Sequence, residues 1–372
     1  MQCRKIVLSV LIPFMTTTFA FAQSEALKVV VNNLAFYKQS KDLKYLRAAK
    51  KSADSLVVTR SDSADLAKNS YRALINASIL YIDSANTTGQ PATLLPQTSA
   101  LVDKLSGNAK IYNHQPEIDY AKRCLANVYI RKGFEFVNNS DFANGRQSFE
   151  NAKKYAPNFT QINDYIAYSN NKMGNLVDAA KYYSNLLAVD STKTEYIETA
   201  SNIYKSLGDT SKALQILKKG RKLLPADRFL LLDEANIYNN LKDYKSLEPL
   251  IGQLLDINAN NADISFVAAN CYDHLNKYDQ AESLYLRTIE LNGSAYDPAF
   301  NLGLLYLKQS ALSKHEGESG RNLGMAVQWL EKANEIAPNN IKGLEALKLV
   351  YATTNNKDQL DRINNKLKQL TN

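Results

Sequence analysis

Tyr204, Tyr238, Tyr272 and Tyr306 recur at one constant interval, each number 34 above the last, and the same interval separates Leu207, Leu241 and Leu275. Asn202, Asn236 and Asn270 keep it as well. Ser201-Asn202-Ile203-Tyr204, Ala235-Asn236-Ile237-Tyr238 and Ala269-Asn270-Cys271-Tyr272 therefore read as three copies of one phrase. Self-similarity at a fixed interval of this size marks a repeat array. Each unit is one supersecondary element that cannot bury its apolar side alone and gains a core only by stacking on its neighbours.

Each period holds two helix-type patterns around a turn built on Gly, Asn or Asp: Gly174-Asn175, Gly208-Asp209, Lys242-Asp243 and Asn276-Lys277. In the second helix a small residue precedes a large one by four, as in Ala179/Tyr183, Ala213/Leu217 and Ala281/Tyr285. Positions four apart share a helix face, so the small residue admits a neighbouring helix and the large one fills the space beside it. Pro157, Pro225 and Pro338 stand just past second helices, where a residue without an N–H fixes the exit.

With these offsets the chain resembles the tetratricopeptide repeat family. The match is fullest in the unit from Ala126, which has Tyr129, Gly133, Phe136, Phe149, Ala152 and Pro157 in the family's places and Gly145 where Ala is usual. In this register seven units tile without gaps over 126–372: 126–159, 160–193, 194–227, 228–261, 262–295, 296–340 and 341–372. Asn170 replaces an aromatic in the second, Leu247 a small residue in the fourth, and the seventh is weak throughout. The resemblance implies an all-α, right-handed α-solenoid. The sixth unit is longer than the others, and its extra segment, Ser310 to Gly320, is polar and Gly-containing at its end, so it reads as a mobile loop between two helices. Residues 23–125 read as irregular helical hairpins that cap the array or form a separate helical domain. Helical patterns run over 26–38, 43–58 and 64–83, with a short helix near 97–105 and a loop from Gly107 to Pro116.

Residues 1–22 have the order of a secretory signal: basic Arg4-Lys5, an apolar stretch from Ile6, and Ala20-Phe21-Ala22 before Gln23. Cleavage after Ala22 and a periplasmic location are expected, with no insertion of the mature chain into the membrane. Removing Arg4 and Lys5 leaves 43 cations against 37 acids, a balance of +6 without a dense basic block, so nucleic acid is not an expected partner. Cys124 and Cys271 remain. Four units of separation put them on the order of 40 Å apart at about 10 Å per helix layer, too far for a bridge.

The chain carries no recognisable catalytic motif. No Gly is followed by Lys, which excludes a phosphate-cradling P-loop; no Gly-x-Ser-x-Gly elbow occurs; and His114, His274 and His315 are scattered without metal-ligand spacing. No cofactor or metal is expected, and no enzymatic activity. Lys218-Lys219-Gly220-Arg221-Lys222 is the densest basic run; it closes a helix, where cations suit the dipole.

Function is then expected on the face lined by the first helix of each unit, the surface on which the resembled family binds peptides or extended protein segments. Asn202, Asn236 and Asn270 lie two residues before the tyrosines, about 200° round the helix. Each amide offers a donor and an acceptor. The three either form a ladder that grips an extended backbone or bond to neighbouring helices and stitch repeats together. Phe134, Tyr165 and Tyr168 on one side and Phe266 and Phe300 on the other stand in the same register, as side-chain anchors or as packing. Two classes compete: a glycan-binding module, using exposed coplanar aromatics, and an enzyme or enzyme accessory subunit, which would need carboxylates clustered in a cleft within the first hundred residues or the 310–320 segment.

Overall fold

A computed structural model of the chain describes residues 25–371. The signal segment read over 1–22 lies outside the described residues. Those residues are helical with no strand among them, and they divide into two compact units that meet in sequence at Asp190 and Ser191.

The first unit contains α1 (Glu25–Ser40), α2 (Leu43–Ser55), α3 (Leu66–Ile82), α4 (Leu94–Ser106), α5 (Gln115–Asn138), α6 (Phe142–Tyr155), α7 (Gln161–Lys172) and α8 (Leu176–Val189). Leu46, Ala49 and Ala53 of α2 pack with Val30 of α1 and with Ile75 and Ile79 of α3. A second cluster joins α3, α4 and α5 through Ala73, Ala77, Val102, Ile118, Ala121 and Cys124. The segment read as a loop from Gly107 to Pro116 is shorter than expected. A 3-10 turn covers Ala109–His114, and Pro116 lies in the first turn of α5, where its missing N–H has no helical partner to lose. Helix α5 thus begins well before Ala126. At the end of α3, Asp83 is buried, and its carboxylate accepts from Thr87 N (2.8 Å), the Thr87 hydroxyl (2.8 Å) and Thr88 N (2.7 Å).

The second unit contains α9 (Thr194–Ser206), α10 (Thr210–Leu223), α11 (Arg228–Leu241), α12 (Tyr244–Ile257), α13 (Ala262–His274), α14 (Tyr278–Leu291), α15 (Tyr296–Leu312), α16 (Glu316–Ile336), α17 (Ile341–Thr353) and α18 (Lys357–Thr371). The tyrosine interval of the sequence becomes the spacing of helix starts: α9, α11, α13 and α15 begin at Thr194, Arg228, Ala262 and Tyr296. The fold is that of a tetratricopeptide-type helical-repeat protein, and within each unit every helix packs on its successor.

The turns explain why the period is kept. Ser140, Gly174, Gly208, Lys242 and Asn276, one period apart, all have φ between 56° and 78°. The residue after each of Gly208, Lys242 and Asn276 donates its N–H to the carbonyl of Tyr204, Tyr238 or Tyr272, at 2.9, 2.9 and 2.8 Å. This is the left-handed closure that satisfies the last carbonyls of a helix. Asp209 and Asp243 then cap the following helix, their side chains accepting from Lys212 N and Ser246 N. Tyr306, the last of the repeated tyrosines, ties α15 to α14, its hydroxyl donating to Glu282 at 2.7 Å, and Tyr351 ties α17 to α16 in the same way, donating to Glu331 at 2.5 Å.

The segment 310–320 is not a loop. It lengthens both α15 and α16, leaving only Ser313–His315 between them. Ser310, buried, and Ser319 bond across the hairpin, hydroxyl to hydroxyl at 2.8 Å and each hydroxyl to the other's carbonyl. Glu316 and Glu318 occupy the first turn of α16, where negative charge is favoured, and this offsets the helix cost of Gly317 and Gly320. The two unusual core positions also differ from each other. Leu247 is fully buried in the α11–α13 cluster, whereas Asn170 is fully buried with neither amide atom hydrogen-bonded.

Candidate functional site

Helices α9 and α11 are held side by side at their starts. Asp227, the cap of α11, accepts from Phe229 N and Leu230 N and also from the Thr194 hydroxyl of α9 at 2.6 Å. Burial raises the Asp227 carboxyl, but the hydroxyl and the two N–H bonds outweigh it, and the group lies below the usual carboxylate range. On the other side, Arg221 donates to Glu234 (2.8 Å) and to Gln253 (3.0 Å), and Gln253 donates to the Pro225 carbonyl. Arg221, the only Arg of the basic run, is thereby a structural tie between α10, α11 and α12.

On the face so positioned, the asparagine ladder divides. Asn202 and Asn236 are exposed, and neither side-chain amide has a hydrogen-bond partner among the described residues. Asn270 is half-buried, and its oxygen accepts from the Tyr285 hydroxyl (2.7 Å) and from Asn301 Nδ2 (2.9 Å), joining α13 to α14 and α15. The reason lies in the neighbours. One period back from Tyr285 and Asn301 stand Ile251 and Val267, the counterparts that go with Asn236, and a further period back stand Leu217 and Asp233, which go with Asn202. Only Asn270 is offered two donors. The fourth position of the ladder is Leu304, 36% exposed.

The aromatic positions are mostly packing. Tyr165 is buried, with its ring 4.7 Å from Phe134 and 5.2 Å from Phe149, so it is a core residue of the first unit and not a surface anchor. Phe134, half-buried, closes the same cluster edge-on to Phe149. Tyr168 is half-buried, edge-on to Phe142 at 6.3 Å with the Lys172 ammonium 5.6 Å above its ring. In the second unit Phe266 packs near Tyr285, and Phe300 stacks on Tyr296 at 5.3 Å. The ladder reading brings Asn202 and Asn236 to one open face and leaves these five aromatics with intramolecular ring partners.

Glu198 and Asp233 belong to this face and are absent from the sequence reading. Each stands one helical turn before a free amide: Glu198 four residues before Asn202, Asp233 three before Asn236. Both are half-exposed, and neither enters an ion pair among the described residues. Partial burial raises the Glu198 carboxyl, and the negative charges of Asp233, Asp227 and Glu195 raise it further. Phe229, one turn before Asp233 on α11, is 55% exposed. The signal that would have found the acids is positional, a carboxylate one turn from a repeated Asn on adjacent first helices. Among the described residues no three His, Cys, Asp or Glu converge as metal ligands, and no helix is long and apolar enough to cross a membrane.

Among solved structures the chain is similar to YrrB, described as a tetratricopeptide repeat protein with an unusual peptide-binding site, at 20% identity over 54% of this chain and 97% of that one, with a TM-score of 0.44. A tetratricopeptide repeat protein from Parabacteroides merdae gives 18% identity over 60% and 98%, with a TM-score of 0.41. MamA from Desulfovibrio magneticus gives 14% over 49% and 96%, with a TM-score of 0.40. No protein-family model and no curated protein matches the sequence.

Proposed function

We propose that the protein is a non-catalytic interaction scaffold of the bacterial cell envelope that holds a peptide or an extended protein segment on the first-helix face of its second unit. The observation that carries this reading is the pair Asn202 and Asn236. They occupy equivalent positions on adjacent first helices and are exposed, and no protein group uses their donors and acceptors among the described residues. An amide left free at the same register in two repeats suits a backbone running across both, because it can give and take a hydrogen bond whatever the side chain. Asn270 is withdrawn from the gripping set and serves as a tie between helices. The segment 1–22 supports export, with cleavage after Ala22 and a periplasmic mature chain; residues 23–125 and 126–372 are then its cap and its repeat array.

The test is a double substitution, Asn202→Ala with Asn236→Ala, assayed against labelled extended peptides. Alanine is the better helix former and these side chains support no neighbour, so the melting curve should stay within a degree or two of the unaltered protein while peptide binding falls. A fall in stability with binding retained would remove both residues from the site. N-terminal sequencing of the protein purified from its envelope should start at Gln23; a start at Met1 would contradict export by this route.

A further inference from the structure

Three carboxylates of the α9/α11 face, Glu195, Glu198 and Asp233, have no ion-pair partner among the described residues, and Lys205, on the same stripe of α9, stands one turn beyond Asn202. Glu195 is exposed, and Glu198 and Asp233 are half-exposed. Like-charged carboxylates gathered on a partly desolvated surface are unfavourable to one another, and the sign runs against that of the whole chain, which is +8. One turn further along the same two helices come the free amides of Asn202 and Asn236. The order along each helix is therefore acid and then amide, with the two amides, though not the two acids, in register on neighbours held together by the Thr194–Asp227 bond.

We propose that this face takes an extended peptide segment bearing lysine or arginine, with its cation seated between Glu198 and Asp233 and its backbone on the Asn202 and Asn236 amides. The inference rests on the peptide-binding reading above and names the class of segment. Charge complementarity selects the occupant. An acidic segment or a nucleic acid would add to the repulsion, and a bare metal ion would find no third ligand. A lysine or arginine brings one compact charge to two carboxylates and leaves the chain on either side free to run along the amides.

The experiment titrates the purified protein with three fluorescein-labelled peptides of about 12 residues, long enough to span roughly 40 Å when extended. They alternate Ser and Ala, interrupted by lysines, by glutamates or by neither. At low salt the lysine peptide should bind about tenfold or more tightly than the neutral one, with the glutamate peptide weakest. In the double variant E198Q/D233N the lysine peptide should fall to within about twofold of the neutral peptide, whose own affinity stays where it was. Both replacements keep shape at half-exposed positions and relieve repulsion, and an unchanged melting curve verifies the fold. Three results would overturn the proposal. If the neutral peptide binds as tightly as the lysine peptide, the charge assignment fails and peptide binding stands. If the lysine preference survives in E198Q/D233N, the cation sits elsewhere. If none of the three peptides binds, the peptide-binding reading itself falls and the charge assignment falls with it.

Discussion

Asn270 accepts two hydrogen bonds that its counterparts one and two periods earlier do not have, and the consequence is measurable. Asn270→Ala strips the Tyr285 hydroxyl and the Asn301 amide of a shared acceptor in a half-buried place, so a loss of about 1–3 kcal/mol is expected in chemical denaturation. The Asn202→Ala, Asn236→Ala pair should lose almost nothing. Equal effects at the two places would show that one ladder serves one purpose. Asp83 gives the first unit a pH dependence of definite sign. Burial alone would raise its carboxyl, but the bonds from Thr88 and Thr87 outweigh it and hold it down to about 2. The unfolded value is about 3.9, so its contribution is fully present above that pH and is lost as pH falls toward about 2. The stability gap between the unaltered protein and Asp83→Asn should therefore narrow between about pH 5 and pH 2. A gap that does not change with pH would show that Asp83 ionisation is not linked to folding.

At the scale of the helix, two glycines of the sixth pair have opposite roles. A Cβ on Gly303 would meet Leu330 Cγ at 2.7 Å and the Leu330 N at 3.2 Å, so α15 and α16 approach each other there because the residue has no side chain. Gly320, in the lengthened part of α16, has open space where its Cβ would stand. Gly303→Ala should destabilise by about 1–3 kcal/mol through overpacking, while Gly320→Ala should stabilise by up to about 1 kcal/mol through helix propensity. Thermal melts of the two variants check this, and a neutral or harmful Gly320→Ala would mean that the segment is not helical in solution. The same pair shows what the sequence could and could not reveal. The tyrosine interval is printed in the chain and returns as the spacing of helix starts, since a repeated contact needs a repeated residue. The helical state of 310–320 is not legible in this way, because glycine and serine favour loops locally, and the acids in the first turn of α16 together with the Ser310–Ser319 bonds between two helices reverse that preference. The candidate site was half legible. Asn202 and Asn236 follow from register alone. The withdrawal of Asn270 depends on Tyr285 and Asn301, which lie far along the chain on the next two helices. The acids Glu198 and Asp233 have no period to announce them.

Across the whole chain, the cysteines link the fold to the proposed export. Cys124 is fully buried in the α3–α5 cluster of the first unit, and Cys271 is fully buried in the second, its thiol 3.4 Å from the Tyr244 carbonyl; both are free. Burial pushes the Cys124 thiol up to about 12 and the Cys271 thiol up to about 11. Near pH 8 both stay protonated, and the thiolate is the species that attacks a disulfide reagent. The native protein should therefore react slowly or not at all, even though an exported chain meets an oxidising compartment. Unfolding without a reductant exposes whatever thiols exist. The third cysteine, Cys3, lies in the segment proposed to be cleaved. Protein isolated from the envelope should thus titrate with two thiols per chain once denatured and with none while folded. Protein that retains the segment 1–22, and is kept reduced until it is denatured, should titrate with three. A count of zero from the denatured envelope form would mean that Cys124 and Cys271 do become oxidised, against the burial that the fold gives them. A count of three from that form would mean that the segment 1–22 stays attached.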